Sequence, residues 1–372
     1  MTKTGGRQRA GAVRGRQMVR VTAATAAALA TTAALAGPAQ AEDGWRLAYG
    51  SPELGGTFDV VAAADAGNVW AFGIADDGGP TWIHRWDGAD WQREELPADW
   101  TLRPTVADAS AADNVWAAGV SEDGASTLHY DGTAWRAVEL DPALVPTDIE
   151  ALSEDEVWLL SEPVDGWARA AYFDGEVWRD YPAPESTASA VSGVASDAVF
   201  AAGYDGDQPS VERWDGTRWQ PMDVPEVDLP GGEPSAGFTD VYARAADDVW
   251  AVGDIHYVDD DERNRYLPLL AHWDGTEWTV ETGESEGRYS GVTDDGAGGL
   301  WIKDGSWDGD LVHRTADGEL TRYTPTQDGY ELHIPKPTAI PGTTSVLAAG
   351  QAYPEGDPDV PVGYGVVFAY GL

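Results

Sequence analysis

The 372-residue chain has no cysteine, three lysines and three methionines. Without cysteine it can form no disulfide, no thiolate metal site and no cysteine nucleophile. Positive charge is scarce. Only 17 basic residues follow Ala41, against 64 acids, so residues 42–372 carry a net charge of −47. Nucleic acid and anionic lipid are bound by Lys and Arg neutralising phosphates, so neither is expected as a partner. Several chemical signatures are missing too. There is no Gly-x-Ser-x-Gly elbow, no His-x-x-x-His zinc pair and no twelve-residue calcium loop of the EF-hand kind. No nucleophile and base can be paired by spacing.

Long apolar runs are also absent. Residues 1–20 hold Lys3, Arg7, Arg9, Arg14, Arg16 and Arg20 and no acid, residues 21–36 are a short Ala/Thr/Leu-rich run, and Ala39-Gln40-Ala41 is a small-x-small cleavage pattern. That order is the grammar of a secretory signal peptide, and the run is too short for a good membrane span. Residues 1–41 are therefore expected to be removed. No twin Arg is present, which favours the general secretion route, and Met18 is an alternative start. The mature protein is expected to be secreted, soluble and without membrane insertion. A secreted chain lacking disulfides needs a large core, and 331 residues can supply one.

What the chain does have is repetition. Five segments end in Val-Trp or Val-Phe: Asn68-Val69-Trp70, Asn114-Val115-Trp116, Glu156-Val157-Trp158, Ala198-Val199-Phe200 and Asp248-Val249-Trp250. Each is followed by aromatic-Asp-Gly-x-x-Trp: Trp86 to Trp91, Tyr130 to Trp135, Phe173 to Trp178, Trp214 to Trp219 and Trp273 to Trp278. Trp301 and Leu347 continue the series in two degraded copies, at steps of 42 to 51 residues. A period of that length built from short strands signals a β-propeller. Asp-Gly suits the tight hairpin between third and fourth strands. The seventh copy stops at Leu372 before its fourth strand, while Asp43-Gly44-Trp45-Arg46-Leu47 offers an unplaced one. The expected fold is all-β: a seven-bladed propeller over residues 42–372, each blade four antiparallel strands, with the N-terminal strand completing blade 7 and closing the ring.

The Asp-Val-Trp-Ala-Val-Gly and Trp-Asp-Gly-x-x-Trp phrases resemble secreted bacterial propellers grouped with the kelch-like and galactose-oxidase-like families. The resemblance covers residues 43–372 and implies fold more than function. It departs from kelch repeats in having one Gly after the second strand, and from galactose oxidase in lacking the cysteine of its Cys–Tyr crosslink.

Fourteen of the 18 Trp sit at repeat positions, which points to packing; Trp82, Trp100, Trp167 and Trp307 do not. Trp100 and Trp307 fall in loops of the face conventionally used for binding. So does the longest loop between second and third strands, Asp254 to Tyr266. The candidate ligand-binding residues are Trp100, His256, Tyr257, Asp259, Arg263, Arg265, Tyr266, Tyr289 and Trp307. Aromatic rings there would stack on a ligand, Asp would accept hydrogen bonds and Arg would donate them. Arg103, Arg263, Arg265 and Arg288 could together hold a carboxylated sugar. No cofactor is expected, although calcium is the one ion that the acidic loops would suit. The expected function is a secreted monomeric protein that binds an extracellular polysaccharide or protein. Two alternatives stand beside it: a glycan-acting hydrolase or lyase using loop carboxylates, and a structural protein of the cell envelope.

Overall fold

The computed structural model describes residues 44–75, 81–97, 100, 103–121, 124–164, 167–305, 310–354 and 363–371. Residues 1–41, the expected signal segment, and Trp307 lie outside these residues. Six four-stranded antiparallel sheets, at 56–93, 103–138, 146–181, 187–221, 232–282 and 289–323, run in chain order from first strand to fourth. The seventh blade has a first strand broken into Tyr330–His333 and Pro337–Ala339, then Val346–Pro354 and Tyr364–Tyr370. Its outer strand is Arg46–Leu54, antiparallel to Tyr364–Tyr370, with Arg46 opposite Ala369. The N-terminal strand therefore closes the ring, as the repeat count requires.

Each half of the repeated phrase supplies one side of an interface between blades. Trp116 of blade 2 packs on Phe173 and Trp178 of blade 3, at ring distances of 4.6 and 5.5 Å. Trp158 of blade 3 does the same with Trp214 and Trp219 of blade 4, at 5.2 and 5.5 Å. In blade 6, Trp301 meets Tyr370 and Trp45 of the closing blade, at 4.6 and 5.1 Å. Leu347 fills the last seam, in one buried cluster with Val69 and Trp86 of blade 1. The core is thus seven clusters, one per seam, rather than one central mass. The channel on the axis is lined by the first strands.

A polar brace holds several anchors. His129, His272 and His313 stack on Trp116, Trp250 and Trp301 at 4.2, 3.9 and 4.6 Å. Each His Nε2 bonds an Asx side chain, namely Asn114, Asp248 or Asp295, at 2.8 Å. Blade 1 substitutes Arg85, which donates to Asn68 at 2.7 Å and lies over Trp70. The recurring third-strand His and Arg side chains are therefore structural. His84 differs: it pairs with Ala71 rather than the anchor, is buried, and shares a 2.6 Å hydrogen bond with Tyr49.

The single second-strand glycine has a steric cause. The first strand bulges against it, and a Cβ on Gly253 would lie 2.0 Å from the carbonyl oxygen of Gly237. Gly203 and Gly350 stand equally close to the first strands of their blades. Ala at these positions would force the two strands apart.

The blade 5 reading needs one correction. Asp254 to Tyr266 is not an irregular loop. The second strand runs on to Val258 and the third begins at Asn264, with His256 opposite Tyr266 and Tyr257 opposite Arg265. Alternating Ile255 and Tyr257 sustain the ladder, and only residues 259–263 turn.

Replacing Trp158 with Ala should cost about 4 kcal/mol, because a large ring wedged between blades leaves a cavity that cannot collapse; urea unfolding will measure it. A chain starting at Gly56 should aggregate or melt far lower, with blade 7 left as an open edge, and adding the 44–55 peptide should raise its melting temperature.

Candidate functional site

Two places gather polar side chains that the repeat does not explain: the loop rim of blades 5 and 6, and the axial channel. On the rim, the blade 5 hairpin leans on the connection into blade 6. Gly283 and Gly287 donate backbone hydrogen bonds to the carbonyls of Pro268 and Tyr266, at 2.9 and 3.1 Å. Arg265 spans the two segments, bonding Asp259 at 2.7 Å and Glu286 at 2.8 Å. These contacts raise the Arg265 pKa, the Asp259 hydrogen bond being the main cause.

The acidic tip is an organised turn. Asp259 Oδ1 accepts the backbone N–H groups of Asp261 and Arg263, both at 2.9 Å. Glu262 adopts a left-handed φ of 59°. The hydrogen bonds to Arg263 and Arg265 hold the Asp259 carboxyl below the usual carboxylate range. Arg263 also pairs with Asp261. Behind the tip, His256 Nε2 is 2.9 Å from Asn264 Oδ1, and its ring lies 5.1 Å from that of Tyr266. The Arg288 guanidinium sits over the same Tyr266 ring, 5.0 Å from its centroid. Tyr257 is half-buried beside Gly231.

Beneath the rim is a carboxylate pair. Asp254 accepts from Arg288 Nε at 2.8 Å, and burial, opposed by Arg288, raises its pKa. Asp304 accepts the Arg288 backbone N–H at 2.9 Å and also pairs with Arg322, which reaches Asp310 at 3.1 Å.

The expected site residues divide accordingly. His256, Tyr257, Asp259, Arg263, Arg265 and Tyr266 share the blade 5 hairpin. Trp100 is only 7% exposed and packs between blades 1 and 2 with Trp70 and Leu128, so its ring is not offered for stacking. Tyr289, 8% exposed, is likewise part of the seam between blades 5 and 6. Its phenol pKa is raised, chiefly by burial. The four arginines do not converge either. Arg103 pairs with Asp59 at 2.9 Å across blades 1 and 2, while the other three serve blades 5 and 6, Arg263 and Arg265 sharing Asp259 and Arg288 pairing with Asp254. Among the described residues no group of three or more His, Cys, Asp or Glu could hold a metal ion, which leaves calcium undecided.

The channel was not singled out in the sequence. It encloses about 940 Å³ and is lined by all seven first strands. Asp108, Asp148, Glu150 and Asp240 face it, with Lys336 as the cation among them. Lys336 stands between Pro335 and Pro337 in the break of the blade 7 first strand and donates to Asp240 at 2.8 Å. The lumen reaches this side chain, which is 48% exposed, although protein surrounds it. The only available hint was polar residues interrupting short apolar strands, as in Thr239-Asp240-Val241.

No family model and no curated protein matches the sequence. Solved structures do match the fold. YCF48 bound to a D1 peptide aligns with a TM-score of 0.57 at 15% identity, over 90% of this chain and 98% of that one. YCF48 from Cyanidioschyzon merolae gives 0.54 at 13%, over 88% and 98%. A catalytically inactive virginiamycin B lyase from Staphylococcus aureus with quinupristin gives 0.57 at 13%, over 88% and 99%. At these identities the likeness is one of fold. These neighbours replace the kelch and galactose oxidase groups suggested by the repeat phrases.

Asp304→Ala would strand the Arg288 N–H and take from Arg322 the more buried of its two acids. It should cost about 3 kcal/mol in urea unfolding, whereas Asp261→Ala, at the exposed tip, should change stability by less than about 0.5 kcal/mol.

Proposed function

We propose that this chain is an exported propeller that binds an extracellular macromolecule, a polypeptide before a polysaccharide, on the rim of blades 5 and 6. The observation that carries this reading is the blade 5 hairpin. It extends the first, second and third strands of that blade to Gly232, Val258 and Asn264, and fixes His256, Tyr257, Arg265 and Tyr266 on paired strands. A rigid element presenting aromatic and Arg side chains suits a binding hot spot. Among the described residues only the Nε of the Arg288 side chain donates a hydrogen bond, which leaves its two terminal nitrogens for a partner. Burial of Trp100 and Tyr289 removes two of the rings that a sugar would stack on, which favours a polypeptide. The same fold in YCF48 is solved with a peptide. The basic leader and acidic mature surface support export.

A second reading draws on the channel. Burial, opposed by Lys336, raises the Asp148 pKa to about 7, and burial together with the neighbouring Asp108 and Asp148 raises that of Glu150 well above its usual value. A carboxyl that keeps its proton near neutrality suits a general acid, as a glycan-acting hydrolase or lyase would need.

Secreted proteins and soluble polysaccharides would be offered separately to the immobilised protein. The test variants are Tyr257→Ala, Arg288→Ala and a chain with Asn-Gly in place of residues 259–263. Binding of a polypeptide should weaken roughly tenfold or more, with the melting temperature nearly unchanged in Tyr257→Ala and the Asn-Gly chain and lowered in Arg288→Ala, which leaves the buried Asp254 unpaired. Affinity indifferent to all three variants would remove the site from this rim. Product release from a polysaccharide, lost in Glu150→Gln, would establish the enzyme instead. The protein recovered from culture medium should begin at Glu42, read by N-terminal sequencing.

A further inference from the structure

The first strands of neighbouring blades are not hydrogen-bonded to each other as a sheet, yet they are strapped together by side chains. Asp108 of blade 2 accepts the backbone N–H of Ala151 in blade 3 at 2.8 Å. Glu150 of blade 3 accepts that of Gly193 in blade 4. Asp148 of blade 3 accepts that of Val191 in blade 4 at 2.9 Å. Ser192 of blade 4 takes Ala243 of blade 5 at 3.1 Å, Asp240 of blade 5 takes Val292 of blade 6 at 2.7 Å, and Thr293 of blade 6 takes Ala339 of blade 7 at 3.1 Å. Side chains opposite the anchor position, such as Asp108, Glu150, Ser192 and Thr293, form one tier. Asp148 and Asp240, two residues earlier in their strands, form a second.

The straps fall into two chemical kinds. Those leaving blades 2, 3 and 5 are carboxylates; those leaving blades 4 and 6 are hydroxyls. Four carboxylates converge on one lumen. Blade 7 brings Lys336 to them, 2.8 Å from Asp240. Blade 5 adds the Tyr242 phenol, whose pKa is pushed up to about 12, chiefly by burial. Blade 1 brings Asp59, already bonded to Arg103 at 2.9 Å, and blade 6 brings Asp294, already bonded to Arg244 at 2.8 Å. Blade 4 contributes no charge in its stretch from Ser189 to Gly193. Fully ionised, the four strap carboxylates would face one ammonium.

We propose that the carboxylate straps are a proton-operated latch: the ring is held tightest when the channel carboxyls share protons, and the seams from blade 2 to blade 4 loosen when those protons leave. Protonated or not, a carboxyl can accept an N–H, so the protons act by removing repulsion rather than by making the strap. Asp108, Asp148 and Glu150 all have raised pKa values, with burial the first cause in each. A group whose pKa is higher folded than unfolded contributes stability that is complete below its unfolded value and lost as pH rises through its folded value. The window for this loss therefore begins near pH 4 and extends through about 7 and above. Lys336 is raised as well: burial opposes its charge, but Asp240 and Asp148 outweigh it, so its contribution is constant until strongly alkaline pH. Asp248 and Asp295 have lowered pKa values despite burial, because of Arg244 and His272 for the first and His313 for the second. Both carboxyls stay ionised between pH 6 and 9, so these two acids add no titration of their own to that window.

The test is native-state amide exchange on the full chain at pH 6 and pH 9, corrected for the chemical pH dependence of exchange, together with melting temperatures. Opening at Ala151, Val191 and Gly193, which carboxyls hold, should rise roughly tenfold or more, the effect of one lost proton over one pKa unit. Opening at Ala243 and Ala339, which hydroxyls hold, should rise much less. Glu150→Gln and Asp148→Asn keep the accepting oxygen but cannot ionise, and either should flatten the fall in melting temperature between pH 6 and 9. Equal responses at all five amides, or a wild-type melting temperature that does not fall, would overturn the latch. Should the variants fail to fold, the comparison of the two amide classes in the wild-type chain still decides it.

Discussion

Everything in this molecule depends on one contact repeated around a ring: the second-strand anchor of each blade buried against the third and fourth strands of the next. It is a head-to-tail interface, so it must close or leave an unmatched surface at each end. Closure after seven blades requires the last anchor, Leu347, to fit against blade 1, and the anchor of blade 6, Trp301, to find a fourth-strand Trp in blade 7. The latter is Trp45, from the far end of the chain. The N-terminal strand is therefore a part of the repeat that is displaced in sequence.

Polar chemistry sits where that apolar contact leaves room. At the outer seams it takes the form of His or Arg stacked on an anchor ring and tied to an Asx side chain, which fixes the ring without exposing it. On the axis, where seven first strands face one another, side-chain straps replace a sheet ladder. At the rim, the surplus of Asp and Glu is partly answered by the few arginines, several of which bridge two acids. Such a surface resists unspecific association, since residues 42–372, with a net charge of −47, repel most anionic matter. Specific binding then falls to a built element, and the blade 5 hairpin is the longest one in the ring.

The two regions differ in how they relate to stability. Side chains on the hairpin beyond Val258 touch few core residues, so they can vary without harm to the ring. The channel groups cannot, because Asp240 serves both Val292 and Lys336 and is almost wholly buried. The proposed ligand at the rim and proton in the channel would therefore act on different parts of the same scaffold.

Composition and periodicity alone determined the blade count, the Asp-Gly hairpins and the closing strand, because these rest on local turn geometry and on a spacing that recurs. The candidate site was legible only in part. The acidic insertion of blade 5 stood out by length, but its strand character was hidden by charges that alternate with Tyr and Val. Trp100 and Tyr289 looked available because a loop or a strand end in sequence carries no information on which neighbouring blade covers it. Asp108, Asp148, Glu150, Asp240 and Lys336 lie up to 228 residues apart, and only closure of the ring brings them to one axis. Sequence order fixes each blade; which side chains meet across the lumen is decided by the rotation from blade to blade, and that exists only in the tertiary structure.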